Sequence, residues 1–291
     1  MAATSPGRDR RIDGTTPTQM TSSYADLNRP PLHVAGIRRS LITPDSLWQR
    51  LDVVQSTGST NADLRGAALS GAVSGTVLVA EEQTAGRGRL QRTWSAPARS
   101  SLTMSVLLRP PSPSATPPGW LPLLAALAID DALRTFELLN TAVKWPNDVM
   151  VGEGKIAGVL SERVDTDGST AVIIGMGINV SMRLDERPTP AATSLAILGE
   201  MTDREVLLKA VLRALSARYL QFTSGEIEEL RRTYLERSGT IGQQVRVDLP
   251  GGKALAGRAT DIDDSGALVI HDGVQPHLVA AADVTHVRST F

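Results

Sequence analysis

Apolar and polar positions alternate in patterns that divide residues 43–238 into strands and helices. Runs of apolar and β-branched residues bounded by glycine, proline or polar turns are typical of strands. They span 76–83, 101–110, 143–151, 155–164 and 170–180. Apolar residues at helical spacing predict helices. These span 58–71, 120–139, 202–222 and 225–237, and 46–55 predicts a short helix that runs into a strand.

The pattern changes after Ser238, where short apolar stretches are separated by the turn sequences PGG, DDSG and DG. Such spacing is typical of a small all-β module. We therefore predict an α+β protein with two parts. A catalytic domain over 43–238 has a mixed central β-sheet flanked by helices, and a small C-terminal β-barrel follows over 239–291.

Residues 1–42 are predicted to form a flexible leader, because most of this stretch is rich in serine, threonine, proline and arginine and has no apolar period. The alternative is a basic arm for nucleic acid, built on Arg8, Arg10 and Arg11. Translation could start at Met1 or at Met20.

Composition excludes several kinds of chemistry. The 291 residues contain no cysteine, which excludes disulfides, cysteine-bound metals and a thiol nucleophile. The formal charge of −1 provides no overall field to attract nucleic acid. The apolar stretch from Leu121 to Ile129 is too short to span a membrane, and no signal peptide is recognisable. A cytoplasmic location is expected.

A loop rich in glycine and arginine, residues 85–92, follows the predicted strand over 76–83. Its glycines allow close approach of a ligand, and Arg87, Arg89 and Arg92 suit phosphate or carboxylate groups. The spacing is neither that of a phosphate-binding Walker loop nor that of a dinucleotide fingerprint. An anion site and a solvated hairpin both fit these residues.

Lys144, Asn147 and Asp148 lie in the sequence KWPND, where a strand runs into a turn. Either this is a plain turn with Trp145 as a core anchor, or Lys144 meets phosphate while Asn147 or Asp148 helps to hold a magnesium–phosphate group. Lys155 begins the next strand and points either into a pocket or into solvent.

Two further segments have both a structural and a functional interpretation. Residues 58–61, GSTN, open a helix, so Ser59 and Thr60 serve as caps, bind a polar ligand, or do both. Residues 175–180, GMGINV, end a buried strand at Asn179, whose amide suits an adenine edge. The four histidines have no metal-binding spacing and are predicted to lie at the surface.

Taken together and in this order, GSTN, EEQTAGRGR, KWPND, GKIAGVL and GMGIN resemble the biotin–protein ligase (holocarboxylase synthetase) family over residues 50–290. The family joins biotin to ATP as biotinyl-5′-AMP and transfers biotin to a lysine of a carboxylase carrier domain. The resemblance implies a catalytic domain like that of class II synthetases and an SH3-like C-terminal barrel. It also implies ATP, biotin and Mg²⁺ as ligands.

The resemblance assigns roles to residues at matching positions. It implies biotin binding by Ser59, Thr60, Asn61, Gln83, Arg87, Gly88, Arg89, Lys155 and Gly158. It implies ATP binding by Arg89, Trp94, Lys144, Asn147 and Asn179, and a magnesium contact at Asp148. Lys155, Arg87 and Arg89 would be catalytic, because a carboxylate attacking a phosphate needs fixed cations where negative charge accumulates.

Two departures from the family pattern affect the expected function. Gln91 stands where relatives often have glycine, which could stiffen the loop. About 50 residues precede the ligase core, without the DNA-binding pattern of bifunctional relatives. We therefore expect a monofunctional ligase that binds no DNA and no membrane, as a monomer or weak homodimer. The alternatives are a ligase that is also a transcriptional repressor, or a lipoate–protein ligase relative.

Overall fold

A computed structural model describes residues 1, 29–111, 117–136, 139–166, 169–200, 203–249, 254–280 and 283–286. The chain divides into two compact units, Met1–Pro30 and Pro31–Phe291, and every helix and strand given below belongs to the second. Most of the predicted leader, including Arg8, Arg10 and Arg11, lies outside the described residues.

A seven-stranded mixed sheet forms the centre of the second unit, as the apolar runs predicted. Its strands are β1 (Arg50–Val54), β2 (Thr76–Ala80), β3 (Ser101–Leu108), β4 (Thr141–Lys144), β5 (Asp148–Val151), β6 (Gly154–Thr166) and β7 (Ser169–Asn179). Their spatial order is β1-β2-β3-β7-β6-β5-β4. β1 and β2 pair in parallel, and the other neighbours pair antiparallel.

Helices cover both faces of this sheet. α3 (Trp120–Leu133) and α4 (Arg204–Thr223) pack together over one face, α5 (Ile227–Arg237) packs beside them, and α2 (Thr60–Leu69) covers the other face. Because neighbouring residues of a strand point to opposite faces, Ile173 packs in the core under α2 while Ile174 packs in the larger core. No helix in the described part of the chain is both long and apolar enough to cross a membrane.

The predicted all-β module is a five-stranded antiparallel sheet. Its strands are β8 (Gln244–Asp248), β9 (Ala254–Ile262), β10 (Leu268–His271), β11 (Pro276–Val279) and β12 (Asp283–His286), in the order β11-β10-β9-β8-β12. Its inward side chains, such as Val245 and Ile270, belong to the same buried cluster as α3 and α4. The predicted division at residue 239 therefore separates two sheets that share one core.

The turn between β9 and β10 connects the C-terminal sheet to α3 and to the β4–β5 turn. Trp120 Nε1 donates a hydrogen bond to the Asp264 carbonyl at 3.0 Å, and Trp145 Nε1 donates to the Gly266 carbonyl at 3.2 Å. Trp145 thus is the core anchor that the sequence allowed, and it ties the KWPND turn to the C-terminal sheet.

Two local predictions are wrong. The leader was predicted to reach residue 42, but α1 (Val34–Leu41) is a helix that buries Ile37 and Leu41, which lie one turn apart on one face. The short helix predicted from Ser46 does not form, although the strand that follows it does. Trp48 is instead buried against α4, where its indole donates to the Leu212 carbonyl, and Gln49 N donates to the Gly75 carbonyl.

Candidate active site

A cleft of about 420 Å³ collects the residues that the sequence singled out. It is lined by the start of α2, the glycine–arginine loop, the β4–β5 turn and the middle of β6 and β7. All the predicted ligand-binding residues line it, namely Ser59, Thr60, Asn61, Gln83, Arg87, Gly88, Arg89, Trp94, Lys144, Asn147, Asp148, Lys155, Gly158 and Asn179. Their individual roles stay predictions.

Three glycines on β6 and β7 form what we call the glycine floor of this cleft: Gly158, Gly175 and Gly177. Gly158 pairs with Gly177 across the two strands. A Cβ atom at Gly175 would lie 2.3 Å from Asn61 Oδ1, and one at Gly177 would lie 2.3 Å from Trp94 Cε2. Asn61 and Trp94 therefore approach the sheet this closely only because these positions lack a Cβ.

The amino-terminal end of α2 supplies the polar end of the cleft. Ser59 is the N-cap of α2, and its Oγ accepts from Ala62 N at 3.5 Å, so the capping interpretation holds. Thr60 N and Thr60 Oγ1 contact Gln83 Oε1 at 2.8 and 3.0 Å. These contacts fix the Gln83 side chain against the start of the helix.

Lys155 lines the same cleft, beside Asp148 and the aromatic ring of Trp94. Its Nζ is 2.6 Å from Asp148 Oδ1 and 5.9 Å from the centre of the Trp94 ring. A Cβ at Gly158 would come within 3.0 Å of the same Nζ, so the glycine floor also admits this side chain. The lysine therefore lines the cleft, with 34% of its side chain exposed to solvent.

Arg89 adds a second cation to this region. Burial lowers the pKa of its guanidinium from the ordinary value, and the nearby Asp148 carboxylate opposes that shift. A guanidinium stays charged at all physiological pH values. Asp148 therefore faces two cations, Lys155 and Arg89.

Two asparagines of the site are held by bonds within the protein. Asn147 Nδ2 donates to the Val159 carbonyl at 2.8 Å, and Asn179 Nδ2 donates to the Thr193 carbonyl at 2.9 Å. Ser101 Oγ lies 3.3 Å from Asn179 Oδ1. Both asparagines thus position the chain around the cleft in addition to lining it.

The glycine–arginine loop folds back on itself across one side of the cleft. Gly88 N donates to the Arg92 carbonyl at 2.7 Å, and Trp94 N donates to the Gly86 carbonyl at 2.9 Å. Between them Leu90 and Gln91 adopt left-handed φ values of 51° and 60°. These values favour glycine, so the departure from the family pattern at Gln91 falls on a strained turn.

One wall of the cleft is not predictable from the sequence motifs, and it is formed by Pro188, Thr189, Ala191 and Ala192 after β7. Lys155 N donates to the Ala191 carbonyl at 2.7 Å, and Thr193 N donates to the Lys155 carbonyl at 2.9 Å. The segment is a polar and proline-rich connection with no motif of its own, so only the folded chain identifies it.

In the described part of the chain, no three acidic or histidine side chains lie close enough together to hold one metal ion. His33 and His271 are exposed, as predicted, and His277 Nε2 pairs with Asp272 Oδ2 at 2.6 Å. Asp148 is the one carboxylate among the described residues that line the cleft.

The chain is similar to known proteins over most of its length. A model of the Biotin/lipoate A/B protein ligase family matches residues 52–179, and one of the biotin protein ligase C-terminal domain matches 240–287. The biotin–[acetyl-CoA-carboxylase] ligase of Mycobacterium tuberculosis is 44% identical over 90% of this chain and 98% of its own length. The bifunctional ligase/repressor BirA of Bacillus subtilis is 33% identical over 80% of this chain and 72% of its own length.

Among solved structures, biotin protein ligase from Aquifex aeolicus in complex with biotin and ATP superposes with a TM-score of 0.70 at 28% sequence identity. The match covers 83% of this chain and 100% of that one.

Proposed function

The chain belongs to the biotin protein ligases of the biotin/lipoate A/B protein ligase family, and from this we propose how its cleft works. It joins biotin to ATP to give biotinyl-5′-AMP and pyrophosphate. It then transfers the biotinyl group to one lysine of a carboxylase carrier domain. The observation that carries the proposal is that one cleft holds Lys155, paired with Asp148 beside Trp94, together with the polar start of α2.

Biotin fits the end formed by Ser59, Thr60, Asn61 and Gln83, where neutral donors and acceptors converge. Such groups match a cyclic urea, which offers two N–H donors and one carbonyl acceptor. The valeryl carboxylate of biotin would then point along the floor past Gly158 toward Lys155.

ATP fits the other end of the cleft. Trp94, which packs against Gly177, offers an aromatic ring for adenine in the cleft that Asn179 also lines. Arg89 and Lys144 line the phosphate side, and Lys144 ends β4 beside the turn that carries Asn147.

The first reaction brings a carboxylate oxygen to the α-phosphorus of ATP, and the bond to the β-phosphate oxygen breaks. Two anions repel each other, so cations fixed at the meeting point lower the barrier. Arg87, Arg89 and Lys155 supply them, and Lys155 exchanges its contact with Asp148 for the substrate oxygens. The glycine–arginine loop shields the mixed anhydride from water.

Magnesium fits this site only as an ion held largely by nucleotide phosphates. Asp148 is the single described carboxylate of the lining, and Mg²⁺ commonly takes one or two carboxylates together with phosphates and waters. When bound, the ion would neutralise phosphate charge, and Asp148 is the residue we expect to hold it.

The second reaction joins the amine of the carrier lysine to the biotinyl carbonyl, and AMP leaves. The chain contains no cysteine, so biotin travels between the two steps as a non-covalently held adenylate. Relatives named biotin–[acetyl-CoA-carboxylase] ligase point to an acyl-CoA carboxylase carrier as the acceptor.

Replacement of Lys155 tests the adenylation step. We expect Lys155→Ala to lower biotin-dependent ATP–pyrophosphate exchange by about 100-fold or more, because a fixed cation is lost where charge accumulates. Lys209→Ala, which removes a lysine of α4 that pairs with Glu205 outside the cleft, serves as the control. Full exchange in the Lys155 variant would contradict the role proposed for it.

The finer predictions from the sequence also stay proposals: no DNA binding, a monomer or weak homodimer, and a cytoplasmic location. An electrophoretic mobility shift with biotin-operon DNA tests the first, and tight salt-sensitive binding would contradict it.

A biotin substrate is favoured over lipoate because residues 240–287 match the biotin protein ligase C-terminal domain.

A further inference from the structure

A chain of hydrogen bonds leads from the polar end of the cleft to a carboxylate that is not part of its lining. Thr60 Oγ1 lies 2.6 Å from Ser105 Oγ, and Ser105 Oγ lies 2.6 Å from Asn61 Oδ1. Asn61 Nδ2 lies 2.6 Å from Glu162 Oε2. Ser105 is fully buried on β3, and Glu162 is half-buried on β6.

The contacts of Asn61 fix which way its amide points. Its Nδ2 group has two hydrogens and two acceptors, Glu162 Oε2 at 2.6 Å and the Leu160 carbonyl at 3.3 Å. A carboxylate only accepts, so the NH₂ end must face Glu162. The carbonyl end of the amide, Oδ1, then faces Ser105 across Gly175.

This orientation determines the direction of the remaining bonds. Asn61 Oδ1 can only accept, so Ser105 must donate its single hydroxyl hydrogen to it. The 2.6 Å contact between Ser105 and Thr60 then requires Thr60 to be the donor. The hydroxyl hydrogen of Thr60 is then not shared with Gln83 Oε1, which lies 3.0 Å from Thr60 Oγ1, but Gln83 Oε1 still accepts from Thr60 N at 2.8 Å.

The direction leaves two acceptors in the cleft. With their hydrogens committed elsewhere, Thr60 Oγ1 and Asn61 Oδ1 each keep a lone pair, and both residues line the cleft. A ring with two N–H donors, as in a cyclic urea, complements such a pair. The dithiolane ring of lipoate has no N–H and would leave both acceptors unsatisfied, which a buried site penalises strongly.

We propose that Glu162 and Ser105 are positioning residues for biotin, which act through Asn61 and Thr60 by fixing the direction of this hydrogen-bond chain. The inference rests on the proposed function, since it assumes that the polar end receives the ureido ring. The hydrogen-bond chain includes no residue of the nucleotide end. Substitutions in it should therefore change biotin binding without changing ATP binding.

The test compares the dissociation constant of biotin, from calorimetry, with the KM for ATP, from pyrophosphate exchange. Ser105→Ala and Glu162→Ala should each weaken biotin binding by about tenfold or more and leave the KM for ATP within about twofold. Glu162→Gln, which can still accept from Asn61, should bind biotin more tightly than Glu162→Ala.

Two neighbouring residues provide matched controls. Ser101→Ala removes another buried β3 serine, but one that bonds Asn179 at the nucleotide end. Asp165→Ala removes an exposed β6 carboxylate that pairs with Arg163. Both should leave biotin affinity unchanged.

The proposal is overturned if Ser105→Ala and Glu162→Ala bind biotin within about twofold of the parent chain, where a lost buried hydrogen bond predicts more. It is also overturned if the two variants raise the dissociation constant of biotin and the KM for ATP by the same factor, because a purely structural role would affect both. Failure of the parent chain to form any biotinyl-adenylate would instead contradict the proposed function.

Discussion

At the scale of single residues, the cleft depends on positions where a side chain is absent. Asn61 reaches the sheet over Gly175, and Trp94 lies against Gly177, two residues further along β7. The sequence showed these glycines in GMGIN but left open whether they serve a ligand or the packing of the sheet. They serve packing directly, since the atoms that approach them belong to side chains of the cleft.

Alanine at each glycine should therefore affect a different substrate. Gly175→Ala displaces Asn61 and should weaken biotin binding, whereas Gly177→Ala displaces Trp94 and should raise the KM for ATP, each by roughly tenfold or more because site geometry is lost. Calorimetry with biotin and exchange assays with varied ATP separate the two effects.

Gly66→Ala is the matched control for this pair. Gly66 is exposed within α2, and a Cβ there meets nothing within 4 Å. It should raise the free energy of unfolding by about 0.5–1 kcal/mol and change neither affinity. If Gly175→Ala and Gly177→Ala altered both affinities alike, the division of the cleft into two ends would be wrong.

The sequence could identify the site residues that belong to recognisable motifs along the chain. The folded cleft brings all of these residues together. It could not identify Ser105 or Glu162, because each looks like an ordinary strand residue until β3 and β6 are placed beside the start of α2. The wall formed by Pro188 and Ala192 was missed for the same reason: its contact with Lys155 exists only in the folded chain.

At the scale of elements, an acidic side chain of α3 ties three helices together. Asp131 on α3 accepts two bonds from Arg218 of α4, at 2.9 and 3.1 Å, and one from Arg237 of α5. Burial alone would raise the pKa of Asp131, but these arginines outweigh it and hold the pKa below its ordinary value of 3.8. The folded state therefore favours the charged form.

Asp131→Asn should destabilise the chain in a pH-dependent way. The stabilisation that the charged Asp131 provides is fully present above the ordinary pKa of this carboxyl. It is lost as the pH falls through the lowered pKa of the folded state. At pH 7 we expect a loss of roughly 1–2 kcal/mol in the free energy of urea unfolding. That difference should shrink in strongly acidic buffer.

Asp165→Asn is the control for this prediction, because Asp165 pairs with Arg163 at the surface and its loss should cost little. A difference between the Asp131 variant and the parent chain that did not change with pH would show that charge pairing is not the cause.

Sequence patterns predicted long elements better than short ones. The helices over 202–222 and 225–237 correspond to α4 and α5, since several turns of amphipathic spacing leave little ambiguity. α1 has only eight residues and two buried positions, so its pattern is too short to separate it from the leader. At Ser46 the burial of Trp48 against α4, a contact far along the chain, prevails over local helical pattern.

At the scale of the whole molecule, the C-terminal sheet is joined to the ligase core by close backbone contact. Gly266, with a φ of 86°, packs against Gly119 at the start of α3, and a Cβ on Gly266 would lie 2.7 Å from the Gly119 carbonyl carbon. The turn-rich pattern predicted the sheet itself. Its attachment could not be predicted, because it depends on a glycine meeting another glycine 147 positions away.

Gly266→Ala should lower the midpoint of a single thermal transition, because left-handed strain and crowding together cost roughly 2–4 kcal/mol. Gly273→Ala is matched in conformation, with a φ of 101°, but a Cβ there meets nothing within 4 Å. Gly273→Ala should therefore lower the transition midpoint less than Gly266→Ala does. Calorimetry that resolved separate transitions for the C-terminal sheet and the core would contradict a shared core.

The most direct test of the proposed function is transfer of biotin to a carrier. The purified chain is incubated with a carboxylase biotin carrier domain, MgATP and either biotin or lipoate, and the carrier is weighed by intact-mass spectrometry. We predict the addition of one biotinyl group at a single lysine, dependent on ATP, and no lipoyl addition. A carrier that gained a lipoyl group rather than a biotinyl group would contradict the proposed function. So would a carrier that gained no mass after incubation with the wild-type chain, biotin and MgATP.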